Sequence, residues 1–142
     1  MIKLDHVKQV YWDSNRNLTL TFLSIQELES IPIIADQNRL KQVINNLIDN
    51  AIKFTCDVTI LAEIDTKHNL VIVKVKDTGT GIDSDILPKL FTKFVTKSDK
   101  GTGLGLYICK GIIEAHHGKI WAENNYDENG TTFSFCLPLI QS

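Results

Sequence analysis

The sequence predicts a two-layer α/β sandwich, with helices packed on one face of a mainly antiparallel sheet. Short runs that alternate apolar and polar residues carry the strand period of two, and they are rich in valine, isoleucine, threonine and phenylalanine. Between them lies one long stretch with the helical period of 3.6, and a second helix follows a glycine-rich run. The 142 residues, 43% hydrophobic and 23% charged, suit one globular domain with a single core.

Taken in order, Ile2 to about Trp12 reads as weakly helical, with Leu4, Val7 and Val10 on one stripe. Leu18, Leu20 and Phe22 alternate with Thr19, Thr21 and Leu23 as a first strand. Asp36 is placed to cap a helix running to about Phe54, whose apolar face is Leu40, Val43, Ile44, Leu47, Ile48 and Ala51. Val58 to Ile64 and Val71 to Val75 alternate on either side of a polar turn at Asp65 to Asn69, which predicts an antiparallel hairpin. A short helix is expected from Ser84 to Phe94. A further helix runs from the glycine-rich loop to about His116 and is closed by Gly118. Lys119 to Asn124 and Thr131 to Leu137 form a last hairpin around Tyr126 to Gly130.

A formal charge of −2 argues against a dedicated nucleic-acid binder, because no basic field dominates. Cys56, Cys109 and Cys136 lack a Cys-x-x-Cys pair and are odd in number, so they read as reduced and mostly buried. Charged residues punctuate the first stretch and no apolar run is long enough for a bilayer. The expectation is a cytoplasmic chain, or the cytoplasmic part of a membrane-anchored protein.

Asn46, Asn50 and Lys53 share one stripe of the long helix, beside Gln42 and Asp49. Asparagine is a poor helix-interior residue, so its repetition on one face calls for a reason beyond solvation. A carboxamide oxygen suits Mg2+ and a lysine suits phosphate. Asp77 ends a strand in phase with Val71, Val73 and Val75, which points its carboxylate into an apolar layer where it needs partners. Capping the turn to Gly81 is one use for it. Accepting from an exocyclic amine such as that of adenine is another, and Gly79 and Gly81 let the backbone approach a flat base. Gly101, Gly103 and Gly105 precede a helix whose amide end attracts phosphate, although neither the P-loop nor the dinucleotide fingerprint is satisfied.

Taken together and in this order, these segments resemble the catalytic and ATP-binding domain of sensor histidine kinases. Arg39-Leu-Lys-Gln42-Val-Ile-Asn-Asn46-Leu-Ile-Asp-Asn50-Ala-Ile-Lys53-Phe54 resembles the N box of that family, and Asp77-Thr-Gly79-Thr-Gly81-Ile82 its G1 box. Leu90-Phe91-Thr-Lys-Phe94 is similar to the F box and Gly101-Thr102-Gly103-Leu104-Gly105-Leu106 to the G2 box. The resemblance implies the Bergerat ATP-binding fold, a mixed, mainly antiparallel sheet with helices on one face. Residues 1–16 would be a short remnant of the helix leading from a dimerisation domain, and 17–142 the catalytic domain.

By the same resemblance, Asn50 binds Mg2+, Asn46 helps polarise the reacting groups and Lys53 touches the phosphates of ATP. Asp77 holds the adenine amine, Gly79, Gly81 and Ile82 line the base, and Thr132 sits close to the adenine pocket. Residues Gly101 to Leu106 cover the phosphates, and Val95 to Lys100 form a short lid in which Lys97 and Lys100 are the cationic candidates. Phe54 stands where many relatives carry tyrosine, and His117 where a glycine is common.

The phosphoacceptor histidine of such kinases lies in a His-Glu/Asp pattern on a dimerisation domain. Here His6 is followed by Val7, and no histidine has that context. The expected partners are therefore a dimerisation domain of the same, homodimeric parent and a response regulator. Two other readings stay open: a free-standing anti-sigma-factor-type serine kinase, which usually carries glutamate where Asn46 stands, and a nucleotide-binding module without turnover.

Overall fold

A computed structural model describes residues 7–13, 18–24, 33–53, 57–93, 104–126 and 129–140. The strands are β1 (Val7–Asp13), β2 (Leu18–Ser24), β3 (Asp57–Asp65), β4 (Leu70–Asp77), β5 (Lys119–Asn124) and β6 (Thr131–Pro138). They form one sheet in the order β1-β2-β3-β4-β6-β5. The helices are α1 (Gln37–Ile52) and α2 (Gly105–Ala115). Neighbouring strands are antiparallel except β2 and β3, which run parallel because the chain between them contains α1 and crosses over the sheet.

Asp36 caps α1 as its type predicts, its carboxylate Oδ1 accepting from Arg39 N at 3.1 Å. Val43, Leu47 and Ala51, four residues apart, are fully buried on α1, and Cys109 and Ile113 do the same on α2. Opposite them stand alternate residues of the sheet: Val58 and Ile60, Val71 and Val75, then Phe133, Phe135 and Leu137. One face of the sheet is thus the core, and the two-layer architecture follows. Burying a side chain such as Leu47 is worth roughly 1.5–3 kcal/mol, so the rotation of α1 about its axis is strongly fixed.

Two local expectations are corrected. Of the helix expected from Ile2 to Trp12, residues 7–12 belong instead to strand β1 (Val7–Asp13), paired with β2 with a register irregularity between Val7 and Gln9, while residues 2–6 lie outside the described residues. Val7, Val10, Tyr11 and Trp12 are residue types that favour a sheet, and the unpaired edge of β2 gives them one, which outweighs a weak helical stripe. The helix expected from Ser84 to Phe94 is a series of turns with one 3-10 segment, Leu87–Lys89, Phe94 lying outside the described residues. Pro88 has no N–H to donate and disfavours helix in the residue before it, so a longer helix is not propagated through it.

The end of α2 explains an oddity of the sequence. His117 has φ +65, a conformation that glycine adopts at lower cost. Gly118 follows, and a Cβ there would lie 2.0 Å from Cys136 O. His116 ties this end to α1: its Nε2 accepts from Asp36 N at 3.0 Å while its Nδ1 faces Ile112 O at 2.8 Å. That bonding makes Nδ1 the protonated nitrogen and His116 a tether.

Candidate functional site

Because Val43, Leu47 and Ala51 face the sheet, the residues just before them lie about 100° round the helix and are half-buried at its side. Gln42, Asn46 and Asn50 occupy that stripe, and Lys53 follows at the exposed C-cap of α1. Asn46 turns toward α2, donating from Nδ2 to Cys109 Sγ at 3.6 Å, and the thiol in turn donates to Val43 O at 3.8 Å. Burial raises the Cys109 pKa above its ordinary value, which keeps the thiol protonated and inert. Cys136 is likewise free and buried, while Cys56 lies outside the described residues.

Asp77 stands at the end of β4, only 3% exposed. Its Oδ1 accepts from Gly79 N at 3.0 Å and from Thr131 N at 3.1 Å. The first use read from the sequence is seen here, the carboxylate bonding Gly79 N in its own turn, and the start of β6 holds it in place through Thr131 N. Two backbone N–H groups on one oxygen fix the orientation of the carboxyl group. Gly130, at φ +106, makes the close approach possible, since a Cβ there would lie 2.1 Å from Asp77 O and 2.9 Å from Oδ1.

Two residues that the sequence reading passed over complete the wall. Asn125 donates from Nδ2 to Asp77 O at 2.9 Å and to Asn129 O at 3.1 Å. Asn124 accepts from Ile82 N and donates to Ile82 O, each at 2.8 Å. The adjacent asparagines at the end of a predicted strand, before a turn, were the available signal. Thr132, expected beside the base, reaches Asp77 through another residue, since its Oγ1 donates to Asn125 Oδ1. The carboxylate itself is bonded by the backbone N–H of Thr131. Thr132 lines a groove of about 720 Å³ with Thr59, Lys74 and Lys76.

Leu104, Gly105 and Leu106 open α2, whose N-cap makes no side-chain cap bond. Lys93 lies over the ring of Tyr107 at 5.2 Å from its centroid, joining the segment after Phe91 to the first turn of α2. Gly79, Gly81 and Ile82 follow Asp77 directly and are half-buried. Phe54, Lys97, Lys100, Gly101, Thr102 and Gly103, and the rest of the expected lid, lie outside the described residues. The structure thus brings Asp77, Gly79, Gly81 and Ile82 together against the start of β6, and sets Asn46 and Asn50 on the flank of α1.

Residues 35–141 match the family described as histidine kinase-, DNA gyrase B-, and HSP90-like ATPase. Over 120 residues the chain is 43% identical to the phytochrome-like protein Cph1 of Synechocystis sp., covering 80% of this chain and 16% of that protein. It spans under a third of the length of the curated relatives it matches. Among solved structures, the nucleotide-free catalytic domain of histidine kinase ThkA superposes with a TM-score of 0.76 at 39% identity, covering 87% of this chain and 80% of that one. ThkA has also been solved in complex with the response regulator protein TrrA, with 36% identity, a TM-score of 0.73 and coverage of 89% and 35%. Full-length ShkA in complex with AMPPNP gives a TM-score of 0.78 at 28% identity, covering 90% of this chain and 27% of that one.

Proposed function

Because the chain belongs to the histidine kinase-, DNA gyrase B- and HSP90-like ATPase family, as a histidine kinase catalytic domain, we propose that it holds Mg2+ and ATP and passes the γ-phosphate to a histidine of a dimerisation domain. That domain would belong to the same parent protein, acting in the cytoplasm and relaying phosphate to a response regulator.

One observation carries the reading: a carboxylate that is 3% exposed, fixed by two backbone N–H groups beside a glycine-containing loop. A carboxyl group held in place in this way is an acceptor that an adenine amine suits. Gly79, Gly81 and Ile82 would line the base. The amide end of α2 from Leu104 to Leu106 would face the phosphates, where a helix N-terminus favours anions.

The residues also fit a magnesium ion. No cluster of three or more His, Cys, Asp or Glu side chains suited to a metal occurs among the described residues. A divalent ion would therefore depend on oxygen from Asn50, phosphate and water, the ligand set that Mg2+ favours. When bound, the ion would neutralise charge on the phosphates. Asn46, half-buried on the same stripe, would orient a polar group toward the reacting phosphate, and Lys53 would add a positive charge from the C-cap of α1. Phosphoryl transfer needs little more from the protein than such positioning and charge.

Calorimetry with Mg2+ and ATP tests binding. The Asp77→Ala variant should lose at least about tenfold in affinity, the value of a hydrogen bond to a charged group. Unchanged affinity would remove the base site. With a separately produced dimerisation domain of the parent protein, the chain should yield acid-labile phosphohistidine and little label on itself. Acid-stable phosphoserine on an added protein would instead favour the serine-kinase reading.

A further inference from the structure

The segment that would line the base is gripped by a residue that neither flanks it nor shares its strand. Ile82 lies outside the sheet, yet its N–H and C=O are both paired at 2.8 Å, with Asn124 Oδ1 and Asn124 Nδ2. One carboxamide thereby supplies the donor and the acceptor that a neighbouring strand would supply. Oδ1 also accepts from Thr131 Oγ1 at 3.4 Å, and Thr131 N is bonded to Asp77. A Cβ on Gly81, whose φ is +81, would lie 3.1 Å from the same Oδ1. The grip thus depends on glycine at one point and on asparagine at the other, 43 positions later in the chain.

We propose that Asn124 is a positioning residue for the nucleotide base, acting through Ile82 and Gly81. The inference rests on the reading that a base lies against the loop after Asp77. A loop held in its binding shape before the ligand arrives has already met its ordering cost, and releasing it returns that cost to the binding step. Asn124 is exposed, so water can satisfy Ile82 when the side chain is removed. The loss should therefore fall on affinity and leave the fold intact.

The test is calorimetry of the purified chain with Mg2+ and ATP, beside a thermal melt of each protein. Asn124→Ala should bind about tenfold more weakly, the equivalent of two modest hydrogen bonds, with its melting temperature within a few degrees of the parent. Asn124→Asp supplies a readout that a packing role would not move. Near pH 8 its carboxylate retains the acceptor for Ile82 N but sets a negative oxygen against Ile82 O, so it should bind no better than the alanine variant. As pH falls to about 4, near the ordinary aspartate pKa of about 3.9, a substantial share of the carboxyl takes up a proton, the donor returns in part, and its affinity relative to the parent at the same pH should rise. Parental affinity in Asn124→Ala would overturn the inference, as would a pH-independent ratio for Asn124→Asp or a weakening that tracks a collapse in melting temperature. Absence of ATP binding by the parent chain would instead defeat the underlying reading of the site.

Discussion

Gly130 leads into β6 beside Asp77, and Gly118 leads into β5 beside Cys136, at opposite ends of the same strand pair. A Cβ would stand 2.1 Å from Asp77 O in the first place and 2.0 Å from Cys136 O in the second. The steric demand is the same, but the surroundings differ. Around Gly130 the nearest atoms belong to the residue whose carboxylate is held by Gly79 and Thr131, whereas Gly118 meets Cys136 backbone and Ile113 Cγ2. A close backbone approach serves a polar site at one end and packing at the other. Its location in the chain, two residues or fewer from a strand start in both cases, does not tell them apart.

Alanine at each glycine gives the sharpest contrast. Gly130→Ala and Gly118→Ala should each cost about 3 kcal/mol or more, read from denaturant unfolding, since backbone atoms cannot step aside as a side chain can. Only the first should also abolish ATP binding by the folded fraction. Equal loss of ATP affinity in Gly118→Ala, under conditions where it remains folded, would erase the distinction between the two ends.

His117→Gly probes the packing end in the opposite direction. Relieving a left-handed non-glycine residue should stabilise the chain by about 1 kcal/mol, with ATP affinity unchanged, because His117 is exposed and far along α2 from Leu104. A fall in affinity would show that this end communicates with the site.

The smallest effect concerns the turn between β3 and β4, at the same end as Gly118. Asp65 Oδ2 pairs with His68 Nδ1 at 2.8 Å and its Oδ1 accepts from His68 N at 3.1 Å. These bonds lower its pKa below the ordinary value of 3.8. A carboxyl depressed on folding contributes stability above its unfolded pKa, and that contribution is lost as pH falls through the folded value. Asp65→Asn should therefore show a slightly reduced stability near neutral pH, with the difference from the parent shrinking below pH 3.8. Acid titrations followed by circular dichroism check the sign, and ATP affinity should not move.

Much of the site was legible because its signals are local. The asparagine stripe of α1 follows from helical period alone, and the inward aim of Asp77 from strand period alone. The β3–β4 and β5–β6 hairpins were legible for the same reason. Expectations failed where the sequence signal was weak or a partner was remote. β1 had a faint helical stripe, but an available sheet edge decided it. The segment around Pro88 was expected to be helical, but Pro88 withholds its backbone donor and disfavours helix in the residue before it. Apart from those two elements, the structure adds what the sequence left unspecified at adjacent positions: the Thr131 N–H bonds the carboxylate and the Thr132 hydroxyl bonds Asn125.

The sequence by itself determined the order of the nucleotide-site segments, the phase of α1 and the burial of Asp77. These are properties of one to four residues at a fixed period, and they survive whatever the rest of the chain does. Only the tertiary structure decided that Thr131 meets Asp77 across 54 positions and that Asn124 clasps Ile82 across 42. Such contacts arise from strand register and turn length acting together, and a one-residue slip would send every side chain of the strand to the opposite face.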